Sequence, residues 1–162
     1  MSADKLYMRL NAGHKLPYFV LKDDSGSSVT SEMLYGNKTL LLFLKDDGTH
    51  SHIKELWDLR DNISKLKDTV PTVYVVLDGS PESLSALRNE NKLNFSLLSD
   101  TKKEFISACG LKKVTGGVTN AAVFLDSDLN VSNIIKVKNA QDMMPGILNY
   151  VREIKDKKSN LA

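Results

Sequence analysis

Cysteine is nearly missing from these 162 residues: Cys109 stands alone, so no disulfide can close within the chain. A lone thiol fits a reducing compartment. Tryptophan occurs once and proline four times, and no Pro/Gly-rich linker, repeat or low-complexity stretch divides the chain. Neither sign of charge is in excess. With 22 Lys+Arg against 20 Asp+Glu the net charge is +2, too small to point to nucleic acid or a membrane surface as partner. No apolar run approaches the roughly 18 residues of a membrane span. Met1-Ser2-Ala3-Asp4-Lys5 lacks the charged and apolar regions of a secretory leader, so a cytoplasmic location is expected. What is left is ordinary globular composition, 41% hydrophobic and 26% charged, long enough to close its own core. A single domain over 1–162 is expected, with its core at about 10–155 and a tail over 156–162, the Lys155-Asp156-Lys157-Lys158 run being a solvated helix end or tail.

The hydrophobic pattern alternates between strand and helix. A short strand is read at Tyr18-Phe19-Val20-Leu21, a turn at Asp23-Asp24-Ser25-Gly26 and a returning strand at Ser28-Val29-Thr30. Ser31 is placed as the cap of one helical turn ending at Gly36. Thr39-Leu40-Leu41-Leu42-Phe43-Leu44 is continuously apolar, as a strand covered on both faces must be. The next helix, about Ser51 to Lys67, sets Ile53, Leu56, Trp57, Ile63 and Leu66 on one stripe. A strand at Thr72–Leu77 precedes a helix opened by Pro81 and capped by Ser80. A short strand at Phe95–Leu98 and a helix from Thr101 to Gly110 follow. Ala121–Leu125 and Val131–Ile135 form a hairpin across Asp126-Ser127-Asp128-Leu129-Asn130, and a last helix runs from about Ala140 to Lys155. The order β-β-β-α-β-α-β-α-β-β-α describes a three-layer α/β/α domain of thioredoxin type with a mixed sheet.

Several segments, in order, resemble the peroxiredoxins of the alkyl hydroperoxide reductase/thiol-specific antioxidant group, nearest the bacterioferritin-comigratory branch. Ala12-Gly13-His14-Lys15-Leu16-Pro17-Tyr18-Phe19 resembles the family opening A-G-x-x-x-P-x-F. Val29-Thr30-Ser31 with Gly36-Asn37-Lys38 resembles the short helix and G-K-x that lead into the central strand, and Leu59-Arg60-Asp61-Asn62, Leu93 to Asp100 and Val123-Phe124-Leu125-Asp126 match as they stand. The resemblance implies a thiol peroxidase fold, no bound cofactor and a homodimer. It also implies a reactive loop P-x-x-x-[T/S]-x-x-C. In the ungapped register the proline falls on Lys45, the threonine on Thr49 and the cysteine on His52, while Glu55 matches a carboxylate common in the family. The family arginine that assists the thiolate falls on Asn120. Of proline, threonine, cysteine and arginine, only Thr49 is kept.

Peroxide reduction needs a soft nucleophile that can be carried through a sulfenic acid, and an imidazole cannot be. The site residues therefore predict a protein without the family's peroxidase activity, kept as a module that binds a protein or small molecule. Two other readings stay open. Cys109, beside Gly110 at the end of a helix where the dipole disfavours a thiolate, could act as a divergent thiol oxidoreductase through a mixed disulfide with an external thiol. His50 and His52, with Asp46 or Asp47, form a transition-metal ligand set of short spacing. The plainer assignments are Asp46-Asp47-Gly48 as a turn, Thr49 and Ser51 as helix caps, and Cys109 as a packed core residue.

Overall fold

The computed structural model describes residues 10–45 and 53–161. Its elements follow the predicted order: β1 (Val20–Asp23), β2 (Ser28–Thr30), β3 (Thr39–Phe43), α1 (Ile53–Leu66), β4 (Thr72–Leu77), α2 (Pro81–Glu90), β5 (Ser96–Ser99), α3 (Glu104–Ala108), β6 (Asn120–Leu125), β7 (Val131–Val137) and α4 (Met143–Leu161). The strands form one sheet in the order β2-β1-β5-β4-β3-β6-β7. β3, β4 and β5 run parallel, while β1 joins β5 and β6 joins β3 antiparallel. The helical crossovers β3-α1-β4 and β4-α2-β5 supply the parallel part, as strands of one direction require.

All five residues of β3 are buried because the sheet is covered on both faces. Leu40 and Leu42 pack with Leu56, Leu59 and Ile63 of α1, Leu84 of α2 and Ile147 of α4. Leu41 and Phe43 face the other way, into a layer made by Phe19, Leu34, Phe105, Ile106 and Cys109. In that second layer the Phe105 ring lies 4.6 Å from Phe19 and 5.7 Å from Phe43, centroid to centroid. This is the expected α/β/α arrangement. Among the described residues no helix is long and apolar enough to cross a membrane.

Several local expectations need correction. Trp57 is 38% exposed, and Leu59, fully buried, takes its place on the core stripe of α1. The indole has a polar destination instead: its Nε1 donates to Asn91 Oδ1 at 3.0 Å, and Arg60 Nη1 donates to the Asn91 carbonyl at 2.8 Å. Asn91 ends α2, so α1 supplies a donor to a carbonyl at a helix end that lacks an intrahelical partner. The first strand begins at Val20 rather than Tyr18. Phe19 is held outside it by two bonds to Ser31, whose Oγ accepts from Phe19 N and whose N–H donates to Phe19 O. Ser31 is therefore a buried member of a 3-10 turn, Ser31–Leu34, with Thr30 in the capping position.

The helix expected from Thr101 starts at Glu104. Lys103 takes a left-handed conformation (φ +56°), which ends any helical run before it, and Asp100 Oδ2 accepts from Ile106 N at 2.8 Å. α4 is preceded by a 3-10 turn at Ala140–Asp142 and tolerates Pro145 in its first turn, where the missing N–H has no helical partner to lose. It continues to Leu161, so the expected tail at 156 is helical. The Ser80 cap stands: its Oγ accepts from Ser83 N at 3.1 Å.

Both hairpin turns are built on an aspartate. Asp23 Oδ1 accepts from Ser25 N and Ser27 N, each at 2.9 Å, and Asp126 Oδ1 accepts from Asp128 N and Asn130 N, also at 2.9 Å. Next to the first turn, Asp24 is buried and reaches a different layer. Its carboxylate accepts from Arg88 Nη1 of α2 at 3.0 and 3.3 Å and from Leu97 N of β5 at 2.9 Å.

Candidate functional site

Strand direction decides which distant residues meet. β3 ends at Phe43, followed by Leu44 and the exposed Lys45, and α1 starts from that same end of the sheet. β6 runs antiparallel to β3 with Phe43 opposite Ala121, so the next residue back, Asn120, lies beside Leu44. Strand alternation gives Asn120 the parity of Ala122 and Phe124, whose side chains join the α1/α4 layer. Glu55 lies in the first turn of α1, where the helix dipole favours a carboxylate. The topology thus gathers Lys45, Glu55 and Asn120 at one end of the sheet.

Asp46, Asp47, Thr49, His50, Ser51 and His52 lie outside the described residues, and with them the expected turn, caps and histidine ligands. Among the described residues no group of three His, Cys, Asp or Glu side chains could hold a metal ion.

Asn120 Oδ1 is buried and, among the described residues, has no hydrogen-bond partner. Asparagine provides one carbonyl and one amide where an arginine would provide a cation and five N–H donors. A depression of about 750 Å³ lies elsewhere, between α1 and α4 against Asp58, Asn62, Met144, Leu148 and Arg152.

Cys109 is not at this end-of-sheet cluster. It follows α3, has no exposed surface, and packs in the layer of Phe105, Ile106 and Leu111. Burial pushes its thiol pKa up, and the nearby Asp100 carboxylate pushes it further the same way. Gly110 follows at φ +72°, the left-handed position that closes a helix, as the sequence suggested. Asp100 is the residue sequence reasoning missed. It is itself raised by burial, against the backbone N–H groups of Ile106, Phe105 and Glu104 that bond to it. Its advance signals were its place just ahead of a helix and at the end of the family-like Leu93 to Asp100 segment. Alkylation of the native protein by iodoacetamide at neutral pH is expected to leave Cys109 essentially unmodified, with one equivalent incorporated once guanidinium unfolds the chain. Fast native labelling would show that the thiol is accessible.

The mixed seven-stranded sheet covered by helices on both faces defines a thioredoxin-like protein. The AhpC/TSA family pattern matches residues 12–134, and the chain belongs to that family, the peroxiredoxins. It is 27% identical to Peroxiredoxin Bcp of Escherichia coli K12 over 154 residues, covering 89% of this chain and 97% of that one. In structure it is similar to peroxidoxin BcpB from Mycobacterium tuberculosis (TM-score 0.78, 19% identity, 90% of this chain and 99% of that chain). A mutant of PrxQ from Xylella fastidiosa superposes with a TM-score of 0.81 at 15% identity, over 91% of this chain and 99% of that one. At these identities the structural likenesses establish the fold.

Proposed function

We propose that this chain is a peroxiredoxin-family protein that no longer reduces peroxides through a cysteine and serves as a binding or regulatory module for a protein or small-molecule partner. The observation that carries this is the position of its only thiol. Position 52, where the family register calls for the reacting cysteine, is histidine, and Cys109 is sealed in the core with its thiolate disfavoured. Attack on an O–O bond by cysteine needs an accessible thiolate, and an imidazole cannot be carried through a sulfenic acid, so neither residue can begin the family's reaction. Asn120 in the arginine position fits the same reading, since it cannot supply charge to a developing anion. A mixed disulfide at Cys109 would first require the layer around α3 to open.

The test is peroxide consumption by the purified protein with excess dithiothreitol. The expected rate equals that of buffer with dithiothreitol alone. Repeated turnover above that background would overturn the proposal.

A further inference from the structure

Sulfur in this chain is not confined to its cysteine. Three of its five methionines, Met33, Met143 and Met144, have described surroundings. Met143 and Met144 are 1% and 7% exposed in the α4 layer, whereas Met33 is 60% exposed. Met33 is also the third residue of the Ser31–Leu34 turn, and its Sδ accepts from the backbone N–H of Thr30 at 3.4 Å. Thr30 ends β2, the outermost strand on that side of the sheet. The next residue, Ser31, makes the two bonds that hold Phe19 in the core. An exposed thioether is therefore the hydrogen-bond acceptor at the head of a turn that fastens the N-terminal segment.

We propose that Met33 is a modification site for hydroperoxides, and that its sulfoxide keeps and tightens this turn rather than loosening it. The thioether lone pair attacks the distal oxygen of ROOH. An S–O bond forms as the O–O bond breaks, and the proton of the distal OH passes to the departing oxygen to give ROH. Sulfur is oxidised and the peroxide reduced by two electrons. No ionisation is needed, so the burial that silences Cys109 has no bearing on Met33. Sulfoxidation usually harms a protein by placing a polar group in an apolar core, but here the side chain is in solvent with a backbone donor already directed at the sulfur. A thioether is a weak acceptor, and the sulfoxide oxygen bonded to that same sulfur is a strong one. Each chain takes up one oxygen at this site, which is stoichiometric modification rather than turnover, so the inference stands apart from the fate of position 52.

The full-length protein should be treated with limiting tert-butyl hydroperoxide and its tryptic peptides followed by mass spectrometry. Addition of one oxygen at Met33 is expected at least about tenfold faster than at Met143 or Met144. Hydrogen exchange at the Thr30 amide should then slow, with no fall in the thermal midpoint, and Met33→Leu should abolish the oxidation-dependent change. Equal oxidation of Met143 or Met144 would overturn the assignment of the site. Faster Thr30 exchange or a lowered midpoint after oxidation would overturn the tightening.

Discussion

His52→Cys combined with Asn120→Arg is expected to confer the catalytic peroxide turnover that the proposed reading denies to the unaltered chain. The cysteine would directly precede α1, a 14-residue helix whose N-terminal partial charge favours an anion. Attack on ROOH then forms a sulfenic acid and releases ROH, and two equivalents of external thiol return the cysteine and expel water. His52→Cys alone should yield a sulfenic acid that a dimedone probe can trap, only slowly. Arginine at 120 would replace an acceptor that has no partner among the described residues with charge-assisted donors worth about 1.5–3 kcal/mol each. If that energy appears in the transition state, the double variant should react about 10- to 100-fold faster than the single one. A double variant that is folded by circular dichroism yet inert toward peroxide would show that the family register assigned to positions 52 and 120 is wrong.

The largest expected loss of stability from a surface-adjacent substitution is at Asp24. Asp24→Ala removes the carboxylate that joins the β1–β2 turn, α2 and β5, and leaves Leu97 N–H without its acceptor. The Asp24 side chain is 7% exposed while Arg88 is 34% exposed, so the orphaned guanidinium can turn toward water and the full penalty of a broken buried pair does not apply. A cost of about 2–3 kcal/mol follows, or a fall in midpoint of roughly 5–10 °C for a domain of this size. Asp24→Asn should recover about half of it, since its carbonyl can still accept from Leu97 N. Urea titration of the three proteins measures the differences. A loss under about 0.5 kcal/mol for Asp24→Ala would mean that the three-way junction contributes nothing.

Asp24 and Arg88 also show where sequence reading stops. Strands such as β3 and β4 announce themselves through continuous β-branched and aliphatic runs, and Ser80-Pro81 marks a helix start through chemistry confined to adjacent residues. A carboxylate paired with a guanidinium 64 residues away leaves no local trace. Trp57 was misplaced for the same reason. Its helical angle is adjacent to the stripe of Leu56, Leu59 and Ile63, and only the distant Asn91 acceptor explains why the indole faces outward. The late start of α3 depends on a left-handed Lys103 and on Asp100 bonding six residues ahead, neither visible as periodicity. At the candidate site, the seclusion of Cys109 beside a closing glycine was legible from its apolar neighbours. The meeting of Lys45, Glu55 and Asn120 was legible only through family register, because antiparallel pairing of β3 with β6 is what joins them.

That pairing has a cost in time. Thr39 pairs with Leu125 and Phe43 with Ala121, so β3 waits on chain made far later. At ribosomal speeds of about 5–20 residues per second, the roughly eighty intervening residues take about 4–16 s to emerge. Through that interval the Leu40-Leu41-Leu42-Phe43 strand has at least one open edge and no charge of its own to discourage pairing with another chain. The nascent polypeptide is thus most exposed to misassociation while β6, which covers that edge and carries Asn120, is still being synthesised.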